Sequence, residues 1–222
     1  MTKPPKLEPF MTINPDFVDE AKRMIRNRSE YRQAFEKLAR FIHESRATLV
    51  FLEGQSTLPT WEGVNAAWKR LFPQKKLPAK ILIPSRMRPE SLEFGYWLNA
   101  NSQKIQRHLR SATVILTDTV YSGNQLARAR DIVQRTGIGI IKTAAFGLLR
   151  YEDSDFNKNG QPDFFASDRQ GPFFGLYSTV RGKLFRVSPT TKYRPPRTNE
   201  GQTRKRFFRI IRKIAGQRLQ RK

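Results

Sequence analysis

Two hundred and twenty-two residues, 38% hydrophobic and 11% aromatic, suffice to bury one substantial core and exclude a wholly disordered chain. With no cysteine and only two histidines, His43 and His108, a disulfide framework, a cysteine nucleophile and thiolate zinc sites are excluded. Lys+Arg 42 against Asp+Glu 19 leaves +23, and fifteen of the basic residues with one acid, Glu200, lie between Gly171 and Lys222, a balance that favours polyanionic partners such as nucleic acid, anionic lipid or phosphorylated ligands.

The first segment, MTKPPKLEPF, lacks the apolar core and cleavage site of a secretory signal, and no run approaches the ~20 apolar residues of a transmembrane helix. A cytoplasmic protein is expected. Asn14-Pro15 then opens a helical stretch, with Asn14 as N-cap, Pro15 in the first turn and Asp16, Asp19 and Glu20 facing the helix dipole. Phe17, Ala21, Met24 and Ile25, then Phe35, Leu38, Phe41 and Ile42, recur at helical spacing, and polar Asn27 to Glu30 suggest a break between them. His43 beside this stripe reads as structural.

Thr48 to Leu52 (TLVFL) is a buried strand running into the polar loop Glu53-Gly54-Gln55-Ser56-Thr57. Pro59 and Thr60 start a helix whose Trp61, Val64, Trp68 and Leu71 keep one face apolar until Pro73. Lys80 to Ile83 gives a second strand, the loop Ser85 to Glu90 carries arginines, and a helix follows from Ser91 to about Arg107. Thr113 to Leu116 is a third strand, Gln125 to Arg135 a helix ended by Gly137, and Ile138 to Leu149 a fourth strand. Such alternation implies an α/β fold with a mostly parallel sheet and flanking helices.

Beyond Arg150 the periodicity is lost in an Asp/Asn/Gly region. Asp155, Asn157, Asn159, Gly160 and Asp163 have the spacing that opens a calcium loop, but Ala166 stands where its glutamate belongs, so a surface turn is the better reading. Aromatic runs between Gly171 and Val187 suggest edge strands or a flap. Ser188 to Thr203 has the composition of a linker, and Arg204 to Leu219 regains helical spacing, with Phe207, Ile210, Ile211 and Ile214 on one face. The expected organisation is a helical segment over residues 1–46, an α/β core over 47–187 and a basic linker and amphipathic tail over 188–222.

Chemistry concentrates in TVILTDTVYSGNQL, Thr113 to Leu126: a strand, an acid at its carboxyl end, a small-residue turn and a helix. Ligands of open parallel sheets bind just beyond the carboxyl ends of the strands. There Asp118 can accept hydrogen bonds from ribose hydroxyls, while the Ser122 hydroxyl and the amides of Gly123 and Asn124 can hold a phosphate. The segment resembles the phosphoribosyl-diphosphate loop of type I phosphoribosyltransferases, with Asp118 on the second acid and Ser122-Gly123 on the Thr/Ser-Gly pair. Thr117 replaces the first acid, and Gln125 the final hydroxyl residue.

The resemblance, over roughly residues 47 to 150, implies a phosphoribosyltransferase-like core. It implies binding of phosphoribosyl diphosphate or a related ribose phosphate by Asp118, Thr119, Tyr121, Ser122, Gly123, Asn124 and Gln125, with Mg²⁺ carried by the diphosphate. It further implies a pyrophosphate loop at Glu53, Gly54 and Gln55, cations from Arg86 and Arg88, and transfer of phosphoribosyl to or from a nucleobase. Tyr121 lies where some purine-specific relatives carry an acid. Such chemistry is positioning and electrostatics and needs neither Cys nor His.

The alternative is a catalytically degenerate nucleic-acid-binding module, or a subunit of a nucleoprotein assembly. Arg204, Lys205, Arg206, Arg209, Arg212 and Lys213 would contact RNA or DNA; the same pattern suits an anionic membrane or docking onto the protein's own core. A homo-oligomer is compatible with either, and no metal-ligand set is visible.

Overall fold

The computed structural model describes residues 15–85, 87–120, 122–148, 157–168, 171–172, 177–180, 183–186 and 197–216. Helices α1 (Pro15–Arg26) and α2 (Arg28–Glu44) are separate. They break at Asn27, whose φ of −102° and ψ of 30° leave the helical region, as the polar gap in the apolar stripe predicts. Asn14 lies outside the described residues. Three strand-helix units follow: β1 (Leu49–Glu53) and α3 (Thr57–Leu71), β2 (Ala79–Ile83) and α4 (Leu92–Gln106), β3 (Thr113–Val120) and α5 (Asn124–Gln134). Strand β4 is Ile141–Leu148 and β5 is Phe164–Ser167.

The sheet has the order β2-β1-β3-β4-β5, with every neighbouring pair parallel. This is an α/β fold of the expected class. All five residues of β1 are buried, because helices cover both faces of the sheet and each alternating set of side chains meets a core. On one face Val50, Leu52, Val114, Leu116, Ala144 and Phe146 pack against α1, α2, α3 and a last helix, α6 (Arg197–Gly216). On the other, Leu49, Phe51, Ile81, Ile83, Ile115 and Ala145 meet Trp97 and Ile105 of α4 and Leu126, Ala129, Ile132 and Val133 of α5.

The two histidines have structural partners. His43 stacks on Phe72 with ring centroids 4.1 Å apart and meets the edge of Trp68. His108 Nδ1 lies 2.8 Å from the Thr48 hydroxyl, and partial burial, helped by Arg107, Lys104 and Lys76, holds its pKa below the ordinary value.

Three elements depart from the sequence reading. Strand β3 runs four residues past the expected end at Leu116, to Val120, because its pairing with β4 continues there, so Thr117 and Asp118 lie within the strand. Strand β5 replaces part of the supposed irregular region after Arg150; four residues with one exposed phenylalanine, Phe165, are too short to show a period. Helix α6 begins at Arg197, so the linker expected through Thr203 gives way to helix seven residues earlier. The prolines that mark the linker stop at Pro196, and nothing from Arg197 to Thr203 forbids helix. The aromatic runs after Gly171 contribute β6 (Tyr177–Val180) and β7 (Lys183–Arg186), an antiparallel pair in a sheet of their own.

Candidate functional site

From β1 the chain proceeds through α3 to β2 at the sheet edge, and from β3 through α5 to β4 in the opposite direction. The two helices cover opposite faces. Between β1 and β3 the topology therefore switches, and that opens the crevice in which doubly wound sheets bind their ligands. Glu53 ends β1 and Asp118 lies near the end of β3, so both stand at this switch point.

Each strand leads into its helix through a left-handed glycine. Gly54 has φ +71°, and its amide donates to the Ile83 carbonyl at 2.9 Å. A Cβ on Gly54 would stand 2.5 Å from the Ser85 hydroxyl, which can rotate away, so it is the left-handed conformation that calls for glycine. Gly123 has φ +78° and occupies the N-cap of α5. The first amides of that helix have no intrahelical acceptor, which is the electrostatic basis for an anion there.

The carboxylates differ in their surroundings. Glu53 is 2% exposed; its Oε2 accepts from the Thr117 hydroxyl at 3.3 Å, and its Oε1 lies 3.6 Å from Nη2 of Arg128 on α5. Arg128 also donates to the Ser85 carbonyl, tying α5 to the loop after β2. Glu53 is thus buried at the start of its loop, whereas Gln55 is exposed.

Asp118 retains some solvent contact as a residue, while its carboxyl lies below the surface beside Ser56 and Thr117. Burial raises its pKa above the ordinary carboxylate value, opposed by hydrogen bonds from the backbone of Thr119 and Asp118 and from the Ser56 and Thr117 hydroxyls. Thr117 lies 3.5 Å from the Asp118 carboxylate, so one buried hydroxyl reaches both acids.

Two later segments brace the loop. Asn157 N–H donates to the Ser122 carbonyl at 2.8 Å, and its side-chain amide donates to Asn124 Oδ1 at 3.1 Å. A Cβ on Gly160 would overlap the Gly123 carbonyl, so the 3-10 turn Lys158–Gly160 lies backbone to backbone on the start of α5. The segment with calcium-loop spacing is therefore this brace. Asp163 Oδ2 accepts from the amide and hydroxyl of Thr143 at 2.6 and 2.9 Å, and Asp155 lies outside the described residues. Gly171 N–H donates to the Thr119 hydroxyl at 2.8 Å, and Thr119 is buried.

Of the remaining expected residues, Ser122 is half-buried, and Gln125 and Arg88 are exposed. Arg86 and Tyr121 lie outside the described residues. Among the described residues no group of three acids or histidines could hold a metal ion. Sequence reasoning missed Arg128 and the role of Gly160, and had Ser56 only as a member of the polar loop after β1. Only Arg128 had a local signal: it follows Asn124 by four residues and so shares a helix face with it.

The basic C-terminal helix is part of the fold. Phe207, Ile211, Ile214 and Ala215 are buried in the core, while Lys205, Arg206, Arg209, Arg212 and Lys213 are exposed. The side chain of Arg204 lies outside the described residues. Lys205, Arg209 and Arg212 line a shallow concavity of about 240 Å³. No described helix is long and apolar enough to cross a membrane.

No family model matches the chain, and no curated protein matches it. Among solved structures it is similar to a purine phosphoribosyltransferase from Pyrococcus horikoshii Ot3, at 13% identity and a TM-score of 0.40, covering 61% of this chain and 80% of that one. Identity and superposition at that level carry neither substrate nor activity from that enzyme to this chain. What the fold and site define is a doubly wound α/β protein with two acids at its switch point.

Proposed function

We propose that the crevice between β1 and β3 binds phosphoribosyl diphosphate or a related ribose phosphate. Asp118 faces the ribose hydroxyls, and the Ser122 hydroxyl with the amides of Gly123, Asn124 and Gln125 faces a phosphate. One observation supports the reading: Glu53 ends β1, Asp118 lies two residues before the end of β3, and each strand enters its helix through a left-handed glycine.

The reaction class that suits such a ligand is transfer of the phosphoribosyl group to a nucleobase nitrogen, with the bond to diphosphate breaking as diphosphate leaves, or the reverse, with diphosphate attacking and the base leaving. The protein's part would be to orient the pentose and to place Arg88 near the loops that face the diphosphate. Mg²⁺ fits as an ion that arrives on the diphosphate. A hard cation drawing most of its ligands from phosphate and water needs only one or two carboxylates, and Asp118 is the candidate, because Glu53 already faces Arg128. The group would supply charge neutralisation on the diphosphate.

Isothermal titration with phosphoribosyl diphosphate and Mg²⁺ tests the site. Saturable binding that Asp118→Ala abolishes supports it; equal binding by both proteins refutes it. Pyrophosphate release on adding nucleobases then separates turnover from binding alone. A nucleic-acid module is the second reading, and the observation that favours it, the cationic outer face of α6, lies on another surface and needs nothing from the crevice.

A further inference from the structure

Helix α6 divides its sequence into two faces with different fates. Its apolar side, Phe207, Ile211, Ile214 and Ala215, is closed into the core shared with α2 and α3. That face is no longer available to lie in a lipid interface, which an amphipathic helix needs for membrane insertion. Its other side carries Lys205, Arg206, Arg209, Arg212 and Lys213 in water.

Lys205, Arg209 and Arg212 follow each other at i, i+4 and i+7, on one line along the helix. They line one concavity and span about 10 Å along the axis. Phosphates of one strand of B-form DNA recur about every 3.4 Å along its axis, so a row of this length covers about three of them. Among the described residues the acid paired with the row is Glu62 of α3, 3.5 Å from Arg212, and it balances one of the three cations.

Single-stranded nucleic acid is held by aromatic side chains on which bases stack. The exposed positions of α6 from Lys205 to Gly216 carry none: Phe207 is fully buried and Phe208 half-buried. The exposed positions over the same stretch are Lys205, Arg206, Arg209, Arg212, Lys213 and Gly216, without the Asn, Gln, Asp or Glu that pair with adenine and cytosine edges. What remains is a straight cationic row at a fixed height on a rigid element, which suits backbone phosphates of a double helix.

We propose that the outer face of α6 binds the phosphate backbone of duplex nucleic acid without sequence preference. The partner is independent of whatever occupies the crevice between β1 and β3.

The test uses the full chain and a fluorescently labelled 20-base-pair DNA duplex, titrated from 50 to 200 mM salt. Each phosphate neutralised contributes about 0.9 to the slope of log affinity against log salt. Lys205→Gln, Arg209→Gln and Arg212→Gln together should therefore lower the slope by about 1.8, from the two cations without an acid, to about 2.7 where Arg212 leaves Glu62 for a phosphate. The affinity ratio of wild type to variant should fall about 12- to 40-fold over that salt range. Glu62→Gln, which removes the paired acid and keeps all three cations, should bind at least as tightly as wild type. Circular dichroism and the urea midpoint of the triple variant should match wild type, since the altered side chains are exposed. A duplex RNA of the same length should compete, because the shared ligand is the backbone. The proposal is overturned if the triple variant keeps the wild-type slope, if the unpaired strand binds more tightly than the duplex, or if only vesicles containing phosphatidylserine bind.

Discussion

Gly160→Ala probes the brace on the candidate phosphate loop by the smallest change available. A Cβ at that position would overlap the carbonyl carbon and oxygen of Gly123 and stand 2.6 Å from its Cα. All three are backbone atoms, so no rotamer relieves the clash. The turn must retreat by on the order of 1 Å to regain an ordinary C···O contact. That retreat loosens the bonds from Asn157 to the Ser122 carbonyl and to the Asn124 side chain, 2.8 and 3.1 Å long. Overpacking typically costs about 1–3 kcal/mol and each lost hydrogen bond about 1 kcal/mol. The retreat trades one cost against the other, so the expected net destabilisation is about 2–3 kcal/mol. Gly95→Ala is the control: a Cβ there meets nothing within 4 Å, and alanine within a helix should add about 1 kcal/mol. Urea unfolding gives both energies, and hydrogen exchange at the amides of residues 122–127 reports the loop itself. A Gly160→Ala protein within about 0.5 kcal/mol of wild type, with unchanged protection there, would refute the packing of this turn on α5.

Three further perturbations separate the fold from the site. Phe207→Ala should cost about 3–5 kcal/mol in urea unfolding, because the ring is fully buried between α6 and the core; a cost below about 1 kcal/mol would mean that the helix is an appendage. For Asp118, whose pKa burial raises, the folded chain keeps a proton over a pH interval in which the unfolded chain has lost it. Stability therefore falls as pH rises from the unfolded value through the folded one. Asp118→Asn should be flat over that interval and more stable than wild type above it while losing ribose-phosphate binding, and parallel stability curves for the two proteins would count against this. Thr117→Asp restores the tandem acids of the resembled motif, yet it buries a second charge next to Glu53, so it should destabilise by about 2–4 kcal/mol at neutral pH. Adding Glu53→Gln should return at least about 1 kcal/mol of coupling in the double-mutant cycle, and strict additivity would show that the two sites do not interact.

The alternation of strands and helices was legible because TLVFL, KILI and TVIL are apolar runs closed by polar or proline-bearing loops, and buried parallel strands need that composition. His43 was legible as structural for a similar reason, since it sits beside an apolar stripe and ends stacked on Phe72. Strand β5 was not: in four residues, FFAS, two adjacent aromatics mask any alternation, and only pairing with β4 makes it a strand. The basic tail was legible as an amphipathic helix, but its hydrophobic pattern is the same for lipid, partner or core. The contact of Phe207 and Ile211 with α2 and α3 decides that question in three dimensions.

The site shows the same division more sharply. A loop motif is written in consecutive residues, so Asp118, Ser122 and Gly123 could be found by reading along the chain. The groups that set the behaviour of the acids come from elsewhere: Glu53 reaches Thr117 across 64 positions, and Ser56 reaches Asp118 from the start of α3. Where the resembled motif has its first acid, this chain has a hydroxyl, and the hydroxyl lies between two carboxylates already present. A third carboxylate in that space would face Glu53, whose cationic partner among the described residues is Arg128, and like charges in a buried site raise one another's pKa until one is neutral. Thr117, a neutral hydroxyl, fits between Glu53 and Asp118 without adding to that charge.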